Sequence, residues 1–301
     1  MAGTWESQNK VIPGAYINIR TNTPLSITAG DRGTVVIAQE LSKGTDASLY
    51  EITASEMNYP EGATAADKKL AELALLGAKT VLLYKLPATH KDEAITAMLK
   101  TLKTVDFDVL VYPYAKSSTS SSTAQQTIAT WVKSMQDDEG KNVTAVLPNY
   151  EADSEYTINS VQGVTLSDGS TLTVYEAAAW VGGITAGASV TKSNTAQKFI
   201  GAIDVTPRMT RSEQEAAIKA GKFLLDVDRS QNVTVVADVN SLTTTTQDKG
   251  DIMKQNRSVR TACGIRSDIQ AVWDASIKGK YDNNAAGRMI FKGMLVENFT
   301  D

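Results

Sequence analysis

The sequence predicts an α/β fold: a mostly parallel or mixed sheet flanked by helices, with an extended N-terminal arm and a helical, α+β-derived C-terminal region. Three observations carry this expectation. Between residues 34 and 147, short apolar runs rich in β-branched residues alternate with stretches of helical period, the order that builds parallel sheets. Residues 1–28 are polar and broken by Pro13 and Pro24. From Gly250 onward, apolar residues recur at helical spacing.

In the arm, AYINIR at residues 15–20 has the period of a strand, with Ile17 and Ile19 on one side and Asn18 and Arg20 on the other. A lone strand cut off by prolines cannot stabilise itself, so it must join a sheet in its own or another chain. Tyr16, Ile17 and Ile19 are therefore candidate inter-subunit residues. After the turn-like Gly30-Asp31-Arg32-Gly33, TVVIAQEL reads as a strand. Thr64 is placed to cap a helix over 65–77, and Gly77 suits the position just past its end. KTVLLY at 79–84 is a near-continuous apolar run, as expected of a strand buried on both faces. Residues 90–104 put Ile95, Met98, Leu99 and Leu102 on one helical stripe, and DVLVY at 108–112 is the next buried strand.

KSSTSSST at 116–123 is low in complexity and reads as a loop. Thr123 is placed to cap a helix from Ala124 to about Glu139, stopped by Gly140, and residues 142–147 form a further strand. A hairpin is expected over 160–174 around Ser167-Asp168-Gly169. Residues 172–188 read as a helix whose Gly182, Gly183 and Gly187 allow close packing. Two more strands, 223–227 and 233–237, are joined by residues 228–232. The final helical pattern runs through Val259, Ile265, Ile269 and Val272 to Gly279, and a second helix follows over 285–299. The chain thus divides into an arm (1–28), an α/β core (29–249) and a C-terminal region (250–301).

Composition narrows the function. Apolar residues are 42% and charged residues 21%, a globular balance, and the net charge of −4 gives no basic excess for nucleic acid or an anionic membrane. One histidine and one cysteine exclude a zinc site of several such ligands, an intrachain disulfide and a CxxC pair. No basic-then-apolar leader opens the sequence, and the longest apolar stretch, 177–190, is too short and too rich in small residues to span a bilayer. The glycine-rich strings lack the lysine of a P-loop, and neither GxGxxG nor GxSxG occurs in context. No cofactor or metal is expected.

A few residues remain as candidates. His90 reads as a partly exposed residue at a helix start, and Cys263 as a small buried apolar residue. Asp226 and Asp228 stand at the carboxyl end of a buried strand, where open α/β sheets bind ligands. One alternative is a small enzyme or binding module with its site at the strand ends, carried by Asp226, Asp228 or His90. Asp137, Asp138 and Glu139 end a helix, where acidic groups oppose the dipole and point to an external cationic partner. Lys254, Arg257, Arg260 and Arg266 form a basic set on the C-terminal helix. Complementary acidic and basic surfaces on one chain are what head-to-tail self-assembly uses.

Several segments carry a resemblance. VIPGAYINI, GDRGTVVIAQEL, GAKTVLLYKL, WVKSMQDDEGKNVTAVL, AAAWVGGITAGASV, NSLTTTTQDKGDIMKQNRSVR and KGKYDNNAAGR, in that order from about residue 11 to 292, resemble the tail sheath proteins of contractile phage tails, in the branch of Gram-positive phages and defective prophages. The resemblance implies a non-enzymatic structural subunit in the virion tail, made in the host cytoplasm. It implies self-assembly as stacked hexameric rings around a tail tube, and contraction triggered by baseplate proteins. Terminal arms that add strands to adjacent subunits would account for the isolated strand at Tyr16, Ile17 and Ile19. The sequence departs from the family at two places: only Pro87-Ala88-Thr89 stands where many relatives carry a β-rich insertion, and relatives continue past the equivalent of Phe299, so an incomplete C-terminal region is expected.

Overall fold

In a computed structural model, residues 33–115, 123–247 and 249–300 are described. The arm with Tyr16, Ile17 and Ile19 and most of the low-complexity run lie outside the described residues.

The apolar runs become strands β1 (Thr34–Glu40), β3 (Thr80–Leu86), β4 (Val109–Val111) and β5 (Thr144–Val146). Their side chains alternate between two cores. Val35, Ile37, Val81, Leu83, Val109, Val111 and Val146 meet one core, and Val36, Ala38, Tyr84, Leu86, Leu110 and Ala145 meet the other. Fully burying each such side chain contributes roughly 1.5–3 kcal/mol. These strands join β2 (Leu49–Thr53), β6 (Thr157–Ser160), β10 (Lys222–Val227) and β11 (Val233–Ala237) in one eight-stranded sheet of order β11-β10-β6-β5-β4-β1-β3-β2. All pairings are parallel except the two edges, β2 with β3 and β10 with β11.

Helices cover both faces. The α2 helix (Asp92–Leu102) and α3 (Ala124–Asp137) lie on one, with Ile95, Met98, Leu102, Ile128 and Val132 fully buried. On the other lie α1 (Ala65–Leu75) and α4 (Val174–Gly187). Thr64 and Thr173 cap these two through reciprocal boxes with Asp67 and Glu176. Thr123 holds the N-cap position of α3 but makes no capping bond.

Gly77 is not the left-handed end of α1. It lies against the Gly183–Ile184 backbone of α4, where a Cβ would clash, and Gly183 in turn lies on the backbone of Ala74. The glycine face expected of α4 thus brings two helix backbones together, and the fully buried Trp180 stacks on Phe199 at 4.2 Å.

The Asp168-Gly169 turn joins β7 (Gly163–Leu166) to β8 (Thr171–Leu172), with Gly169 at φ +84°. A strand not evident in the sequence, β9 (Ala202–Thr206), completes a small antiparallel sheet of order β8-β7-β9. The nine-residue α5 (Arg211–Lys219) was likewise not evident, and buries no residue. At the C-terminus a 3₁₀ turn (Asp251–Lys254) leads into α6 (Asn256–Val272), a π-helical turn (Trp273–Ile277) and α7 (Ala285–Thr300).

Candidate assembly surface

The structure does not bring Asp226 and Asp228 together with His90. Asp226 and Asp228 belong to β10 and the turn after it, whereas His90 lies beyond the ends of β1 and β4, with β6 and β5 between. Three strand spacings separate β10 from β4, about 14 Å. Asp228 closes the β10–β11 turn, its Oδ1 accepting from the backbone N–H of Ser230 (2.7 Å) and Asn232 (2.8 Å). The Asn232 side-chain amide, donating to Oδ2 at 3.0 Å, and these backbone bonds hold its carboxyl below the ordinary range.

His90 is not partly exposed; it is 2% exposed. Its Nδ1 pairs with Glu40 Oε1 at 2.6 Å, and its Nε2 lies 2.7 Å from the Tyr112 hydroxyl. The Glu40 N–H donates to the Tyr114 hydroxyl (2.7 Å), whose pKa burial pushes up. This cluster ties β1, β4 and the start of α2 together and commits both ring nitrogens. Among the described residues, no group of three or more His, Cys, Asp or Glu is arranged to hold a metal. No helix among them is long and apolar enough to cross a membrane.

The acidic run stays outside. Asp137, Asp138 and Glu139 are exposed at the end of α3, on the negative end of its dipole. Asp138 accepts from Ser134 Oγ at 2.8 Å, and Glu139 pairs with Lys103 at 2.7 Å.

The basic set divides. Arg257 is exposed and Lys254 pairs with Asp251, but Arg260 is 7% exposed. Its Nη2 donates to Asp238 Oδ2 (3.0 Å) and to the Lys192 carbonyl (2.8 Å). Arg266 also turns inward, donating to the Gln136 carbonyl at 2.8 Å and to Gln136 Oε1 and Asn142 Oδ1. The expectation that Arg260 is a docking residue is therefore corrected. Asn256, Val259, Arg260 and Cys263 follow the i, i+3, i+4, i+7 stripe that α6 turns to the core, and Arg257 lies off it. That stripe is the signal in the sequence that separates the two arginines.

An apolar surface that the candidate residues missed lies nearby. Ile265, Trp273, Met289, Ile290, Val296 and Phe299 are all more than a third exposed, on α6, the π turn and α7. In α7, Phe291 meets Trp273 edge-on at 5.4 Å, leaving most of the helix's apolar residues facing outward. Exposed large apolar side chains gathered in one C-terminal segment point to an interaction surface.

The profile of the family described as phage tail sheath protein central domain matches residues 88–241. The chain belongs to the phage tail sheath protein family. It is 34% identical to the phage-like element PBSX protein XkdK of Bacillus subtilis over 186 residues, 62% of this chain and 39% of that one. The matched region thus spans about two fifths of that relative's length. It is 26% identical over 250 residues to the tail sheath protein of Clostridium phage phiCD119, covering 81% and 68% of the two chains. The crystal structure of the sheath tail protein from Desulfitobacterium hafniense superposes with a TM-score of 0.80 at 26% identity, over 94% of this chain and 88% of that one. The fold is also shared with the anti-feeding prophage helical sheath in its contracted state, at TM-score 0.67 and 16% identity over 97% and 84% of the chains. The family is one of structural tail components and not of enzymes.

Proposed function

We propose that this chain is a structural subunit of a contractile tail sheath. It polymerises as stacked hexameric rings around a tail tube and shortens when the baseplate triggers it, driving the tube through the host envelope. The sheath is a virion tail component, made in the host cytoplasm. The family match over 88–241 carries this reading, supported by the shared fold over nearly the whole chain. Contraction of this kind requires no bound fuel, because a lattice with two packings of different free energy stores the work.

Three surfaces support assembly. The strand at Tyr16, Ile17 and Ile19 adds to a sheet of an adjacent subunit. Exposed Arg257 and the exposed pair Asp137 and Asp138 are of opposite charge and steer successive copies together. The apolar surface on the C-terminal helices is covered by a neighbouring copy. On this reading the arm (1–28) and C-terminal region (250–301) link subunits, and the core (29–249) is the rigid block they connect.

Negative-stain electron microscopy of the concentrated protein at moderate salt tests the proposal. Rings or striated tubes are expected, alone or on mixing with a longer relative's sheath subunit. A species that stays monomeric in both settings overturns it.

A further inference from the structure

One seam in the molecule is polar and loosely filled: the contact between α6 and the amino-terminal edge of the sheet. Two cavities open along it. The larger, about 540 Å³, is bordered by Thr34, Asp108, Val143, Val190, Gly264 and Ile265. The smaller, about 20 Å³, lies among Asp108, Thr144, Thr185, Asn256, Arg260 and Cys263. That is room for about one water molecule.

Hydrogen bonds, more than apolar contacts, hold the seam. At one end, Asp238 Oδ1 accepts from Asn256 Nδ2 (2.8 Å) and Oδ2 from Arg260 (3.0 Å), and Val239 and Gln255 form a β-bridge. Further along, Thr261 donates to the Val190 carbonyl at 2.7 Å, and Asn142 Nδ2 to the Cys263 carbonyl at 2.8 Å. At the far end Arg266 grips Gln136 and Asn142. Yet, among the described residues, Arg260 Nε and Nη1 and Arg266 Nε are buried with no acceptor. Leaving guanidinium N–H groups unpaired is costly, and the smaller cavity, which Arg260 lines, has the room for a water that would partner that arginine. Close-packed cores do not look like this; contacts between parts that move do.

We propose that residues 256–300 form one helical unit, hinged at the Asp238 node and latched through Arg266, which opens from the core and unfolds as one cooperative unit. The inference is independent of the assembly role. It rests on the polar bonds at both ends of α6, on the unfilled space between them, and on α7 packing chiefly against α6 and the π turn.

Hydrogen–deuterium exchange with mass spectrometry on the full chain tests it. In the wild type, peptides covering 264–296 should exchange together, about tenfold or more faster than β4 and β5. In Arg266→Met they should accelerate by about a further tenfold, with β4 and β5 unchanged. Wild-type exchange of 264–296 in step with β4 and β5 overturns the hinge. An Arg266→Met variant with unaltered exchange at 264–296, or with equal acceleration in the sheet, overturns the latch.

Discussion

Gly183 of α4 rests on Ala74 of α1 so closely that a methyl group at 183 would overlap the Ala74 carbonyl oxygen. Both are backbone groups in buried helices, so neither can yield. Gly183→Ala is expected to destabilise the fold by about 1–3 kcal/mol through overpacking. Gly250→Ala is the control: the site is open and its φ is −78°, so stability should change by less than about 1 kcal/mol. Urea denaturation of the two variants should separate them. Equal stability would show that the helices can part without cost.

The Arg260–Asp238 pair makes a second prediction. Asp238→Asn leaves a buried guanidinium without its carboxylate and should cost about 3–5 kcal/mol, whereas Arg260→Met with Asp238→Asn should be less damaging than that single change, because the amide oxygen still accepts from its other buried donors. Thermal melts of the single and double variants decide it. A solvated, docking Arg260 would instead leave the melting temperature unmoved.

Arg257 should behave in the opposite way. Arg257→Glu is expected to leave the monomer's stability within about 0.5 kcal/mol but to reduce polymer yield, most strongly at low salt. Combining it with Asp137→Lys and Asp138→Lys should restore assembly if these charges meet across copies. Sedimentation across a salt series reads this, and a yield independent of both charge and salt would exclude electrostatic steering.

The arm is tested by Ile17→Asp with Ile19→Asp. The double variant should abolish polymers while the circular dichroism spectrum and melting temperature stay those of the parent, because on the proposed reading the arm pairs with another copy and not with its own core. Tubes formed as readily as in the parent would remove the arm from the assembly account.

Acid should weaken the fold through Asp67. Burial alone would raise its carboxyl, but hydrogen bonds from Ser42 Oγ (2.5 Å), Ser42 N–H (2.9 Å) and Thr64 N–H (2.8 Å) outweigh it and bring the pKa to about 2 from 3.8. A carboxyl depressed on folding stabilises above its unfolded value, and that contribution fades as pH falls from about 4 through 2. Its size is on the order of 2 kcal/mol. Urea titrations at pH 7 and pH 2.5 should show this loss in the parent and a smaller pH dependence in Asp67→Asn. Identical pH profiles would assign acid sensitivity to other carboxylates.

Much of the fold was legible in the sequence because burial on both faces leaves a plain mark. Residues 34–40, 80–86 and 109–111 read as apolar runs since both sides of each strand meet a helix layer. The glycine face of α4 and the Asp168-Gly169 turn were legible because few other residues fit there. Elements with little buried surface left no such mark. The edge strand β2 buries only Ile52, and α5 buries nothing, although Thr210 and Glu213 do carry its capping signal.

The candidate surface divides along the same physical line. The resemblance of its segments pointed to the family, while residue type and spacing determined the layered α/β architecture and the acidic end of α3. Only the tertiary structure decided that Arg260 turns inward to Asp238, that His90 is sealed between Glu40 and Tyr112, and that Gly77, just past the end of α1, serves close packing without a left-handed conformation. A side chain's charge is written in the sequence, but its direction depends on which face of its helix meets the sheet. That is set by contacts between residues far apart in the chain, such as Arg266 and Gln136, 130 positions apart.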